Sequence, residues 1–423
     1  MKCEEHTFIK REGRSAWTER SMGRNMKKFK SFISTCLIAS CVAVLAGCGG
    51  GEQETAAETT IAAAEVQTEG KAANAASSGA DQTVDAQAST QTFAAENSEQ
   101  IVIVDQLGKE IVLDGVPERV ATTIMPFPYI YYAVVGNSDN LIGCNPSSIV
   151  AYEDSALKYM YPELANADTS FVDTSFVVNI EELLKLEPEV VFQWNYMDEE
   201  IEKMEAAGIK VVALQYGTLD DMETWIRIIG KMFDKEERAE RLISYFHESV
   251  GEVEEKISTL SPEDYRNVVI MSNDLKVTGT GFSYYWLEKS GAVNPAGDLS
   301  GEALNVNMEQ IYEWNPEILY IGNFTDLQPS DFVENKLEGQ DWSVVDAVEN
   351  KQVYKIPIGG YRWDPPGVET PLMVKWLAKI QHPQLFEDMD MRTEVSEFYQ
   401  QVYDFELTEE MLDEILNDTQ DFQ

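Results

Sequence analysis

Two stretches of the chain read almost alike: residues 179–192, NIEELLKLEPEVVF, and residues 307–320, NMEQIYEWNPEILY. They align without a gap at an offset of 128 residues, sharing Asn, Glu, Pro and Glu at the first, third, tenth and eleventh places. Asn179 and Asn307 suit an N-cap, where a side-chain oxygen takes up free N–H groups of a first helical turn. Pro188 and Pro316 end each helix, and the apolar residues behind them read as a buried strand. One helix–Pro–strand unit in each half predicts two α/β lobes of like topology.

Outward from these units the alternation continues. Residues 101–113 read as a β-hairpin whose loop contains Gly108. Strands are expected at 120–124, 190–194 and 210–215, with a helix over 198–207 that stops at Gly208. The second half predicts strands at 267–271, 318–322 and 353–356. Helices are expected at 284–290, 368–380, 392–403 and 408–416. Between the halves, Ala239, Leu242, Ile243, Phe246, Val250, Val253 and Ile257 step by three and four. This predicts a single long helix over 235–259, about 37 Å at 1.5 Å per residue, stiff enough to limit lobe closure.

Ahead of the lobes, Lys27, Lys28 and Lys30 precede an apolar run over 33–46 that closes on Leu45, Ala46, Gly47 and Cys48. The run is too short for a stable membrane span and suits a signal segment. Its end resembles a bacterial lipobox, in which the cysteine is lipidated and becomes the first residue. The signal starts at Met26, so residues 1–25 read as an upstream extension. Residues 49–98 are Ala, Glu, Thr, Gln, Ser and Gly with almost no bulky apolar side chain. That composition predicts a flexible tether with a reach of roughly 40 Å. The expected organisation is a signal peptide at 1–47, a lipid-anchored linker at 48–98 and an N-terminal lobe at 99–218. Connecting helices follow at 219–260, then a C-terminal lobe at 261–423. The body would sit on the extracytoplasmic face of the cell membrane.

The 423 residues carry 32 Lys and Arg against 74 Asp and Glu, a formal charge of −42. Removing 1–47 would make it −47. Such a surface repels phosphate backbones and argues against nucleic-acid binding. Without 1–47 only Cys48, Cys144, His247 and His382 remain of the cysteines and histidines, which supports neither a disulfide framework nor a histidine-rich metal cage. Cys144 reads as a buried inert thiol, and His247 as a packing or surface residue. His382 precedes Pro383 at a helix end, where an imidazolium would suit the helix dipole. The sequence has no G-x-S-x-G, P-loop, H-E-x-x-H or C-x-x-C pattern, so no catalytic residue and no resident cofactor are assigned.

What stands out is aromatic residues at expected strand ends. Phe127 and Tyr129 follow the strand at 120–124, and Trp194 and Tyr196 close the strand at 190–194. Phe282, Tyr284 and Tyr285 follow the turn at 278–281, and Tyr361, Arg362 and Trp363 follow the last strand. Ligands of α/β lobes sit outside the carboxyl ends of strands. All four clusters are expected in loops rimming such a cleft, with Arg362 its most conspicuous cation. This suits a flat or chelate-like ligand bearing oxygen anions. A competing role for Arg362 is a salt bridge to Asp364.

With these residues in view, the chain resembles substrate-binding lipoproteins of bacterial ABC importers, of the iron-siderophore, haem and cobalamin class. The resemblance covers about 101–420. It rests on the order of DQLG at 105–108, PERV at 117–120, the two repeats, AGIKV at 207–211, WSVVDAV at 342–348, QVY at 352–354 and His382-Pro383. The tract RWDPPGVE at 362–369 resembles iron-complex binders. The resemblance implies two lobes bridged by one long helix, ligand in the cleft, and one surface glutamate per lobe that docks on permease arginines. Those glutamates match Glu181 and Glu309. It further implies a ferric siderophore or other iron complex as ligand, an ABC permease and its ATPase as partners, and a monomer. Haem, cobalamin, nickel or cobalt chelates and oxyanions stay open as ligands. A chelatase-like or metal-reducing enzyme is the alternative of a different class, since two-lobed α/β folds host both.

Overall fold

The computed structural model describes residues 100–417 apart from 138 and 302, with side chains except at 282–284. The signal segment, Cys48 and the tether lie outside these residues. Among them no helix is long and apolar enough to cross a membrane.

The first element is the hairpin, β1 (Ile101–Val104) and β2 (Glu110–Leu113), paired antiparallel with Ile101 opposite Leu113. Gly108 adopts φ +79° in its loop, and the Asp105 carboxylate accepts the N–H groups of Leu107 and Lys109. The N-terminal lobe is a parallel sheet of β3 (Val120–Thr122), β4 (Leu141–Gly143), β5 (Val190–Trp194) and β6 (Lys210–Leu214), in the order β4-β3-β5-β6. β5 is buried throughout, as a strand covered on both faces must be.

The C-terminal lobe contains β7 (Arg266–Asn273), β8 (Lys276–Val277), β9 (Ala292–Val293), β10 (Leu304–Asn305), β11 (Ile318–Ile321) and β12 (Val353–Lys355). Its path is β10-β8-β7-β11-β12, with β9 on β7. β7, β11 and β12 run parallel, while β8 and β10 are antiparallel additions. The strand of each sequence repeat, β5 or β11, is thus central to its lobe, between two parallel neighbours.

The repeats also share their local chemistry. Asn179 Oδ1 accepts from the N–H groups of Glu181 and Glu182, and Asn307 Oδ1 from that of Gln310. Glu187 and Asn315, aligned in the two copies, both adopt left-handed backbone just before the proline, at φ 47° and 39°. That conformation stops the helix and turns the chain into the strand.

The two lobes are joined by the helices Leu219–Met232 and Glu236–Ile257. The first begins with a Thr218–Asp221 capping box. The second buries Ala239, Ile243, Phe246, Val250, Val253 and Ile257. A Cβ at Gly230 would lie 2.6 Å from that of Ala239, so glycine sets the close crossing of the pair. The last segments do not stay with the C-terminal lobe alone. Val402 accepts a hydrogen bond from Arg238, Tyr403 stacks near Tyr132 at 6.0 Å, and Glu414 accepts from Tyr159.

Two local expectations change. Phe127–Val135 is a helix, so Phe127 and Tyr129 are not loop residues, whereas the helix expected at 284–290 is present and begins two residues earlier, as Phe282–Ser290. Pro128 is tolerated because a first-turn residue has no intrahelical partner for its missing N–H. His382 caps Thr370–Gln381 as expected, yet its ring is buried and its Nε2 lies 2.9 Å from the Gly291 carbonyl oxygen. Burial pushes its pKa below the ordinary value of 6.5, favouring neutral imidazole over the imidazolium a helix dipole would favour. Cys144 is buried, its thiol pushed up to about 12 by burial. His247 is exposed, with Nε2 2.7 Å from Glu223.

Candidate functional site

The loops at the carboxyl ends of β3, β5, β6, β11 and β12 converge where the lobes meet. The tract 357–369 after β12 reaches across. The Gly359 carbonyl accepts from Ala156 N–H at 2.8 Å, the Pro366 carbonyl from the Tyr216 hydroxyl at 2.5 Å, and the Tyr129 hydroxyl accepts from Val368 N–H at 3.1 Å. Tyr129 and Tyr361 stack, centroids 5.1 Å apart and planes at 16°.

Arg362 stands beside this stack. Its Nε donates to the Asn323 carbonyl at 3.2 Å. Its guanidinium carbon lies 4.8 Å from the Phe324 ring centroid and 5.5 Å from that of Tyr361. Nη1 is buried and, among the described residues, has no hydrogen-bond partner. A buried guanidinium donor without an acceptor is costly, so this is where an anionic oxygen would be most favoured. Asp364 does not neutralise it by a salt bridge. The Asp364 carboxylate accepts from Asn323 N and Nδ2 at 2.9 and 3.3 Å, and no ion pair with Arg362 occurs among the described residues. Burial raises the Asp364 pKa, against the Asn323 N–H and the Arg362 charge, which lower it. Lys355 donates to the carbonyls of Gly322, Thr325 and Leu327, at 2.8, 2.8 and 3.1 Å. Burial pushes its pKa down to about 8. Lys355 thereby shapes the loop that carries Asn323 and Phe324.

The N-terminal lobe contributes Trp194, at the end of β5. Its Nε1 is also buried and, among the described residues, has no hydrogen-bond partner. Its ring is 5.9 Å from Tyr196, nearly parallel at 15°, and 5.8 Å from Phe176, edge-on. Tyr216 and Trp225 lie 5.9 Å away. Tyr196 is 63% exposed.

Of the residues singled out from sequence, Tyr129, Tyr361 and Arg362 form one contact group, and Trp194 and Tyr196 form another on the N-terminal lobe. Phe127 lies in the core, 4.2 Å from Phe192. Trp363 is buried, its Nε1 donating to Glu369 at 2.8 Å. Tyr285 packs edge-on against Trp286, with the Lys289 ammonium 5.4 Å from its ring. The Tyr284 side chain lies outside those described. Glu181 and Glu309 are both exposed on the first turns of their helices. Sequence reasoning missed Asn323, Phe324 and Tyr216. A signal existed for the first two, because at the repeat offset Asn195 and Tyr196 fall on Asn323 and Phe324. Among the described residues no group of three or more His, Cys, Asp or Glu side chains is placed to hold a metal ion.

The family model "Periplasmic binding protein" matches residues 131–358. The chain therefore belongs to the periplasmic binding protein family, the substrate-binding class of ABC importers. It is similar to a crystal structure of a periplasmic solute binding protein from Veillonella parvula, at 39% identity and TM-score 0.71, covering 75% of this chain and 96% of that one. It is 28% identical over 249 residues to the molybdate-binding protein MolA of Haemophilus influenzae, covering 53% of this chain and 70% of MolA. It is 23% identical over 265 residues to an uncharacterized ABC transporter substrate-binding lipoprotein, YvrC, of Bacillus subtilis, covering 60% and 78%.

Proposed function

We propose that the chain captures an anionic metal complex, a ferric siderophore or similar iron chelate, at the lobe junction and delivers it to an ABC permease and its ATPase. A lipid on Cys48 would hold it at the extracytoplasmic face of the membrane. The observation that carries this reading is Arg362, whose guanidinium lies over the rings of Phe324 and Tyr361 and whose Nη1 is unpartnered among the described residues. A guanidinium fork matches carboxylate, catecholate or hydroxamate oxygens, and the rings suit the flat faces of a chelator. A metal held inside its own chelate needs no ligands from the protein. A second reading is a tetrahedral oxyanion. It is favoured by the orphaned donor of Arg362, Nη1, and by the relative named for molybdate.

Titration of the purified protein by tryptophan fluorescence tests both. The probes are ferric catecholate and hydroxamate siderophores, molybdate, haem, cobalamin and free metal ions. Saturable quenching by a ferric chelate supports the first reading. Saturation by molybdate alone replaces it with the second. Response only to haem, cobalamin or a bare ion overturns both.

A further inference from the structure

Behind the Arg362 loop lies a buried carboxylate that the binding role leaves unexplained. Glu369 is 2% exposed. It accepts from Gly360 N–H at 2.9 and 3.0 Å, from Trp363 Nε1 at 2.8 Å and from the Tyr403 hydroxyl at 3.2 Å. These donors are neutral, so the carboxylate is held by geometry. Its fit against the backbone is close. A Cβ at Gly359 would lie 2.0 Å from Glu369 Oε2, and one at Gly360 3.1 Å from Oε1. Donors on both sides of Arg362, Gly360 and Trp363, are therefore gathered on one side chain. The third donor, Tyr403, belongs to the π-helical turn Tyr399–Tyr403, whose aromatic face meets Tyr132 of the N-terminal lobe. Such turns are rare and concentrate at functional sites.

We propose that Glu369 is a positioning residue for the ligand site. It bends residues 359–363 so that Tyr361 meets Tyr129 and the Arg362 guanidinium is presented. Through Tyr403 it ties that loop to the segment resting on the opposite lobe. The inference rests on the reading of Arg362 as the anion-binding group, but its test does not depend on that reading.

Phenylglyoxal labelling of the purified full chain, followed residue by residue by mass spectrometry, reads Arg362 with no ligand present. Arg227, on a connecting helix, serves as the internal control. Glu369→Gln keeps the size of the side chain but turns an amide N–H group toward donors. The expected result is a labelling rate at Arg362 changed at least threefold, with Arg227 unchanged. Affinity for a ferric catecholate siderophore or for molybdate should fall about tenfold, and Arg362→Ala added to Glu369→Gln should bind no worse than Arg362→Ala alone. A folded Glu369→Gln protein with unchanged Arg362 labelling overturns the proposal, as does a double variant whose loss is the product of the single losses. Should Glu369→Gln not fold, Tyr403→Phe keeps the ring and removes one donor. Altered Arg362 labelling in it supports the proposal and an unaltered rate overturns it. If neither probe binds wild type, the functional reading fails while the labelling still decides the role of Glu369.

Discussion

The Tyr129 ring, from the N-terminal lobe, lies nearly parallel to the Tyr361 ring of the C-terminal lobe at 5.1 Å. The Tyr129 hydroxyl simultaneously fills the space where a side chain at residue 367 would begin. A Cβ on Gly367 would lie 1.3 Å from the Tyr129 oxygen. Gly367→Ala should therefore destabilise the protein by about 1–3 kcal/mol, the usual cost of overpacking a tight contact. Urea unfolding reads this, and the loss should shrink in a Tyr129→Leu background, where the hydroxyl is gone. An unshifted midpoint in the Tyr129 protein would contradict the contact.

Arg362→Ala should weaken binding of the cognate anion at least tenfold, about 1.4 kcal/mol. Arg362→Lys should recover only part of this. Lysine keeps the charge but loses the planar fork and the stacking on Phe324. Isothermal titration of both variants checks the order, and equal affinity of the alanine variant and wild type would remove Arg362 from the site.

Glu181 and Glu309 occupy the same place in the two repeats, exposed and capped behind by Asn179 and Asn307. Replacing both by alanine should leave ligand affinity unchanged while abolishing uptake by cells that carry the permease. Uptake at the wild-type rate would reduce the pair to first-turn acids that only favour the helix dipole.

The buried ring of His382 gives a pH signature. Burial lowers its pKa from 6.5, so the folded state binds this proton less readily than the unfolded chain does. Its contribution to stability is present above pH 6.5 and is lost as pH falls through the lowered folded value. Thermal melts of wild type and His382→Asn from pH 7.5 to 5 should diverge below about 6.5, with wild type falling more steeply. Parallel curves would mean that the ring titrates alike in both states.

Much of this architecture was readable because the repeat carries its own punctuation. An N-cap, a left-handed stop and a proline fix helix and strand in each lobe without help from distant residues. The long helix was readable from its apolar spacing. The direction of the aromatic side chains was not. Phe127 and Tyr129 are two residues apart on a helix, which places them about 200° apart around its axis. One packs on Phe192 and the other reaches Tyr361. Nothing local distinguishes those faces, because helix Phe127–Val135 is apolar nearly all round. Arg362 and Trp363 diverge for a related reason. The indole is drawn inward by Glu369, six residues later, through a contact that exists only once the loop has folded.

The return of residues 402–414 to the N-terminal lobe and its connecting helix bears on how the molecule is made. Val402, Tyr403 and Glu414 complete contacts with Arg238, Tyr132 and Tyr159, and Gly359 does so with Ala156. During synthesis the N-terminal lobe, through residue 218, emerges from the ribosome about 140 to 200 residues before these partners do. Until residues 359–414 have been made, part of its aromatic surface has no partner to cover it. Residues 399–416 therefore act as a clasp: a chain truncated before them would carry the sheets of both lobes and lack the seal between them.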